Sequence, residues 1–235
     1  MPTCFPDTAQ PDSVRTPLWL RVGFWICIAI SIAVVFRRIY ALAAPAQNAP
    51  PQLAALDSIF ASHAALTLAH IVPALLFVLL VPVIVFRPGA RPAWTEHAFY
   101  LLGAVVGLTA YAMDAFPVGG WTERSAVLLF NTFFLLSLAF AWTHRRHGDI
   151  PLERRWQLRA IAILLGIATT RPVMGVFFAT AHLTHLVPQQ FFGTAFWIGF
   201  SINVFVFELW IRSVDRRRSH AVVPLIRDPQ PRSLL

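Results

Sequence analysis

Residues 62–86 read SHAALTLAHIVPALLFVLLVPVIVF, 25 consecutive positions without an Asp, Glu, Lys or Arg. As a helix at 1.5 Å per residue this run is about 37 Å long, enough to cross the ~30 Å hydrocarbon core of a bilayer. Five further runs, at 18–36, 98–116, 125–143, 158–180 and 191–211, are apolar over spanning length, broken only by Arg21, Asp114, Arg159, Arg171 and Glu208. None alternates with the two-residue period of a membrane β-strand. The expected fold is therefore all-α: a polytopic transmembrane bundle of six spanning helices over 17–213. A disordered polar tail is expected at 1–16 and a basic cytoplasmic tail at 214–235. The one long connection, 39–60, is rich in Ala and Pro and reads as a loop.

Composition agrees. Of 235 residues, 57% are apolar and 13% charged, with a mean hydropathy of +0.63. Soluble domains carry roughly a quarter charged residues. A water-soluble enzyme, a disordered chain and a disulfide scaffold are excluded, and Cys4 and Cys27 form no CxxC, zinc or haem-attachment spacing. The first run is too long for the apolar part of a signal peptide. Arg37 and Arg38 also separate it from the small residues that follow, so it reads as a retained helix.

The net charge of +8 comes from 19 basic residues, all arginine. With the N-terminus in the cytoplasm, fifteen of them fall on the inner side. Three (Arg37, Arg38 and Arg124) fall outside, and Arg171 lies within a span. That bias places both termini in the cytoplasm, with Arg37 and Arg38 a local violation. It makes the basic tail a topology signal beside anionic lipid and no nucleic-acid site. Trp94, Trp121, Trp142, Trp156 and Trp210 lie at span boundaries, where aromatic belts belong. Gly103 and Gly107 have the spacing of close helix packing, read as packing within the bundle. Pro73, Pro82 and Pro172 are expected to kink their helices.

Ionisable groups inside a membrane are costly and usually face a bundle interior or a cavity. By helical rise His70 and Asp114 both lie about 24 Å above the inner boundary, and Arg171 about 18 Å above it. They form one layer from three spans, in which an Arg171–Asp114 pair joined by His70 would offset the burial. Two readings stand: a structural polar clamp, or a ligand, proton or cofactor site open to the outside.

Histidines gather in an outer layer (His63, His70, His182, His185) and an inner one (His97, His144, His147). Two such layers are what a di-haem cytochrome needs, so haem b on His70, His97, His182 and His185 is one expectation. Interfacial histidine is the plainer one. His144-Arg-Arg-His147 reads as a charged turn, and Glu208 with Arg212 as an i, i+4 ion pair. There is no HExxH, GxSxG, Walker loop or dinucleotide fingerprint, and no metal site is expected.

Before the fifth span the chain reads Glu153-Arg-Arg-Trp-Gln-Leu-Arg159-Ala-Ile-Ala, followed by Thr169-Thr-Arg171. This resembles a bacterial membrane-protein family catalogued as domain of unknown function 2306. That family carries a pattern like H-R-R-W-M-x-R-S-x-A and then a buried arginine. Arg154, Arg155, Trp156, Arg159, Ala162 and Arg171 fit it, while Glu153 stands in the place of histidine and Gln157 in that of methionine. Residues 69–75, His97 and Gly119-Gly120 extend the resemblance over roughly residues 60–175. It implies a multi-pass protein of the bacterial inner membrane in which His70, His97, Arg159 and Arg171 share a site. Glu153 in place of histidine puts an inner haem ligand there in doubt. The family has no settled activity. Three functions follow: a haem-binding or redox-linked protein, a small-solute or proton-coupled carrier, and a non-catalytic membrane partner or assembly subunit.

Overall fold

The computed structural model describes residues 17–44, 51–87 and 92–226, all of it helix and connections with no strand among the described residues. In chain order the helices are α1 (Leu18–Ala43), α2 (Pro51–Ser62), α3 (Ala64–Phe86) and α4 (Ala93–Met113). They continue with α5 (Gly120–Arg146), α6 (Ile150–Leu164), α7 (Gly166–Thr184) and α8 (Pro188–Ile226). Five segments are long and apolar enough to cross a membrane: α1, α3, α5, the α6–α7 pair taken together, and α8. The chain is a membrane-embedded helical protein by the length and composition of these helices. The expected tail at 1–16 lies outside the described residues.

Three boundaries differ from the sequence reading. Part of the expected 39–60 loop is helical: α1 runs on to Ala43 and α2 starts at Pro51. Proline at a first helical position loses no hydrogen bond, because that N–H has no partner in a helix anyway. The expected fifth span, 158–180, is interrupted at Leu165, whereas Pro172 sits inside α7. At the interruption a Cβ on Gly166 would lie 3.0 Å from Phe200 Cα, so α8 crosses close against the break. Finally, α8 does not stop near 211 but continues through the basic segment to Ile226.

The helices pack in antiparallel pairs, α3 on α4, α5 on α6 and α7 on α8, with α5 also against α4 and α8. In lipid there is no hydrophobic gain in bringing apolar helices together, so close van der Waals fit must supply the association. Gly103 and Gly107 provide it within the chain. A Cβ on either would stand 2.6 or 2.4 Å from Leu138 or Leu135 of α5. Gly193 does the same at a tighter place, where a Cβ would lie 2.4 Å from the Glu123 backbone nitrogen. The core centres on Phe77, in ring contact with Phe99 and Phe134 at 4.8 and 6.0 Å. A smaller cluster of Leu56, Val118, Met174, Phe192 and Ala195 closes the end that holds α2.

Candidate functional site: an internal cavity between the helices

The α2 end of the bundle holds a partly open cavity of about 250 Å³, lined by side chains of all eight helices. Its walls are mostly apolar, with Phe130, Phe134, Phe192, Phe196 and Phe200 on one side. Into it come His70 from α3, Asp114 from the end of α4 and Arg171 from α7. The three residues expected to share a layer therefore share a cavity.

They do not form the expected network. Asp114 pairs with Arg124, whose Nε lies 3.9 Å from Asp114 Oδ2, and Arg124 also donates to the Asp114 carbonyl at 3.0 Å. The Asp114 Oδ1 atom is buried without a hydrogen-bond partner among the described residues. Among the described residues Arg171 makes no ion pair. Its Nη1 lies 3.8 Å from Met174 Sδ, a weak acceptor, and its Nε is buried without a partner. The charges that act on Arg171 are Arg38 and Arg37, both of its own sign. His70 is held by Thr109, Nδ1 to Oγ1 at 2.9 Å. Depth along a helix is one coordinate of three. Equal depth put these groups in one cavity, but the direction each helix face points gave Asp114 a different partner.

Four cavity residues were not singled out by sequence reading. Ser31 of α1 is buried, and its Oγ is another polar atom without a partner. Asn131 of α5 donates to the Gly107 carbonyl at 2.9 Å. Glu123, in the first turn of α5, accepts from the Gly119 N–H at 2.6 Å, a helix-start contact favoured by the dipole. The short Gly119-Gly120-x-x-Glu123 spacing could have signalled it. Arg38 reads in sequence only as a violation of arginine bias. In the structure it binds Asp57 of α2 at 2.6 Å, lies 3.9 Å above the Phe60 ring and lines the cavity. Arg37 binds the same carboxylate at 3.0 Å. The two arginines thus fasten α2 over this end, and Thr67 Oγ1 adds a bond to the Phe60 carbonyl at 3.1 Å.

The other expected site residues lie elsewhere. His182 and His185 are exposed at the far end of α7, and His97 is exposed in the first turn of α4 beside Trp142. None of the three lines the cavity. His70 is the one of the four residues expected to ligate haem b that lines the cavity. No group of three His, Cys, Asp or Glu side chains able to hold a metal occurs among the described residues.

The motif residues of α6 build a different structure at the opposite end. Arg154 donates to the carbonyls of Ile84 and Val85 at 3.3 and 2.7 Å, satisfying the C-terminus of α3. Arg155 pairs with Asp215, and Trp156 packs on Phe140 at 4.8 Å. Arg159 lies 4.6 Å above the Trp156 ring and forks onto Glu208 at 2.6 and 3.3 Å. Glu208 is thus bound across helices rather than to Arg212 as expected. Glu153 is buried and accepts from Tyr100 at 3.0 Å, Gln157 at 2.8 Å and Arg145 at 3.3 Å, while Arg145 also binds Glu96. Of the motif, Arg171 alone reaches the cavity.

No protein-family model, curated protein or solved structure matches the chain. Fold and site together define a class: a polytopic helical membrane protein with a mostly apolar internal cavity that holds unsatisfied polar groups.

Proposed function

We propose that this protein binds a small solute in the cavity and carries it across a bacterial inner membrane. The observation that carries the reading is a set of three buried polar atoms without partners, Arg171 Nε, Asp114 Oδ1 and Ser31 Oγ, on residues lining one cavity. Each such group costs about 1–3 kcal/mol, more when charged. A fold that keeps three around one space is arranged for a polar occupant there. The Glu153 cluster holds the fourth such atom, Gln157 Oε1, but there the charged groups themselves are paired, Glu153 with Arg145 and Arg159 with Glu208.

In this reading α4 is a sixth span. It is 21 residues long, about 31 Å. It lies between α3 and α5 and turns Leu101 and Leu108, 67% and 64% exposed, away from the bundle. Six crossings put both termini on one side. Arginine bias makes that the cytoplasmic side, since Arg145, Arg146, Arg154, Arg155 and Arg159 gather at the Glu153 end. The resemblance to the family of domain of unknown function 2306 belongs to the same proposal, supported by the close packing of its α6 motif.

Cysteine labelling tests the reading. Ser31→Cys, in a chain with Cys4→Ser and Cys27→Ser, is reconstituted in vesicles and exposed to a small, membrane-impermeant anionic methanethiosulfonate. Modification from both sides is expected of a carrier. Modification from one side only overturns transport, and none from either side overturns an accessible cavity. Reporter fusions at the two termini should both report the cytoplasm, and opposite sides would remove the sixth span.

A further inference from the structure

We infer that the occupant is a monocarboxylate with an apolar body, its carboxylate seated on Arg171. The inference rests on the solute-binding reading above and names the chemistry of the solute.

Charge decides the sign of the ligand. The charged residues lining the cavity are Arg38, Asp114, Glu123 and Arg171. Those ion-paired to them are Asp57, which also binds Arg37, and Arg124. Four guanidinium groups stand against three carboxylates, leaving one positive charge. Arg38 and Arg37 share the single carboxylate of Asp57, Arg124 is turned to Asp114, and Glu123 accepts from the Gly119 N–H, whereas Arg171 has no counter-ion among the described residues and keeps a buried Nε without a partner. One anionic group placed at Arg171 brings the set to neutrality, while a cation would add to like charges with no carboxylate facing it there.

Shape and polarity decide the rest. A guanidinium presents its N–H groups as a planar fork that matches a carboxylate with two parallel bonds. The buried Nε and the Nη atoms are the donors such a fork uses, and Nη1 now has a thioether for its neighbour. The lining includes the phenyl rings of Phe192, Phe196 and Phe200, and its two carboxylates, Asp114 and Glu123, repel a second anionic end. A dicarboxylate or a phosphate ester would bury excess charge against Asp114 and Glu123. A single carboxylate on a short alkyl or aryl body fills the space and satisfies the arginine.

The test uses full-length protein in lipid nanodiscs, with empty nanodiscs as blank, and measures radiolabelled ligand by equilibrium dialysis. Two skeletons each carry three head groups: phenylacetate, phenethyl alcohol and phenethylamine, and hexanoate, hexanol and hexylamine. The expected result is saturable binding of at least one carboxylate, tenfold or more tighter than its alcohol, with the amine weakest. Arg171→Gln should remove that preference while leaving alcohol binding within about twofold. Arg171→Lys, which keeps the charge and loses the fork, should retain part of it. Equal binding of alcohol and carboxylate, or a preference that survives Arg171→Gln, overturns the carboxylate assignment and leaves the cavity reading standing. Saturable binding of none of the six overturns both. A thermal melt of each variant separates lost binding from lost folding.

Discussion

The two ends of the bundle treat buried charge in opposite ways. At the Glu153 end a carboxylate that is 2% exposed receives three donors from Tyr100, Gln157 and Arg145, while Arg154 and Arg159 are spent on helix carbonyls and on Glu208. At the α2 end Arg171 lines a mostly apolar cavity, with Met174 Sδ beside its Nη1 and its Nε unmatched. The same chain can satisfy buried charge where it is structural. An unpaired charge beside a cavity is the feature on which the proposed solute-binding reading rests.

That contrast can be broken by substitution, and the largest effect is expected at Glu153. Glu153→Ala strands the Tyr100 hydroxyl and the Gln157 amide in the interior, and unfolding in mixed micelles should show a loss of about 3 kcal/mol. A loss under 1 kcal/mol would mean that this end is not the structural one. Next, Gly193→Ala places a methyl 2.4 Å from the Glu123 nitrogen, where backbone must move. A destabilisation of about 2 kcal/mol is expected in the same assay. Gly103→Ala, which meets side chains alone, the end of Leu138 at 2.6 Å and the Phe77 ring at 3.0 Å, should cost less. Arg171→Leu should have the reverse sign. Removing an unpaired buried charge is expected to raise stability by about 1 kcal/mol, and a marked fall would assign Arg171 a structural partner. The smallest effect belongs to Asp57→Asn. Arg37 is half-exposed, so global stability should change by less than about 1 kcal/mol. Hydrogen exchange in α2 should nonetheless rise, because the bonds from Arg37 and Arg38 fasten it; unchanged exchange would show that packing of Leu56 holds α2 alone.

The apolar runs were legible because lipid demands long apolar segments: 18–36, 125–143 and 191–211 each lie within one helix, while 98–116 runs past the end of α4 and 158–180 is divided at Leu165. The short α2 was not. Residues 51–62 are neither long enough to span nor strongly periodic, and what fixes them is Asp57 meeting two arginines from another helix. The cavity was half legible. His70, Asp114 and Arg171 could be placed at one depth by counting residues, but Ser31 and Arg38 carry no local signal that distinguishes them from other polar residues near a span. The interruption at Leu165 was missed for a similar reason: proline is visible in sequence, whereas the close crossing of Phe200 on Gly166 is not.

Sequence alone determined that the chain is helical with segments apolar enough to cross a membrane, because that follows from a one-dimensional count of apolar positions at a fixed rise. Tertiary structure decided which helix faces meet. With that it decided that Asp114 goes to Arg124, that Glu208 goes to Arg159, and that Arg171 is left without a counter-ion, since pairing depends on rotation about the helix axis and on neighbours far away in the chain.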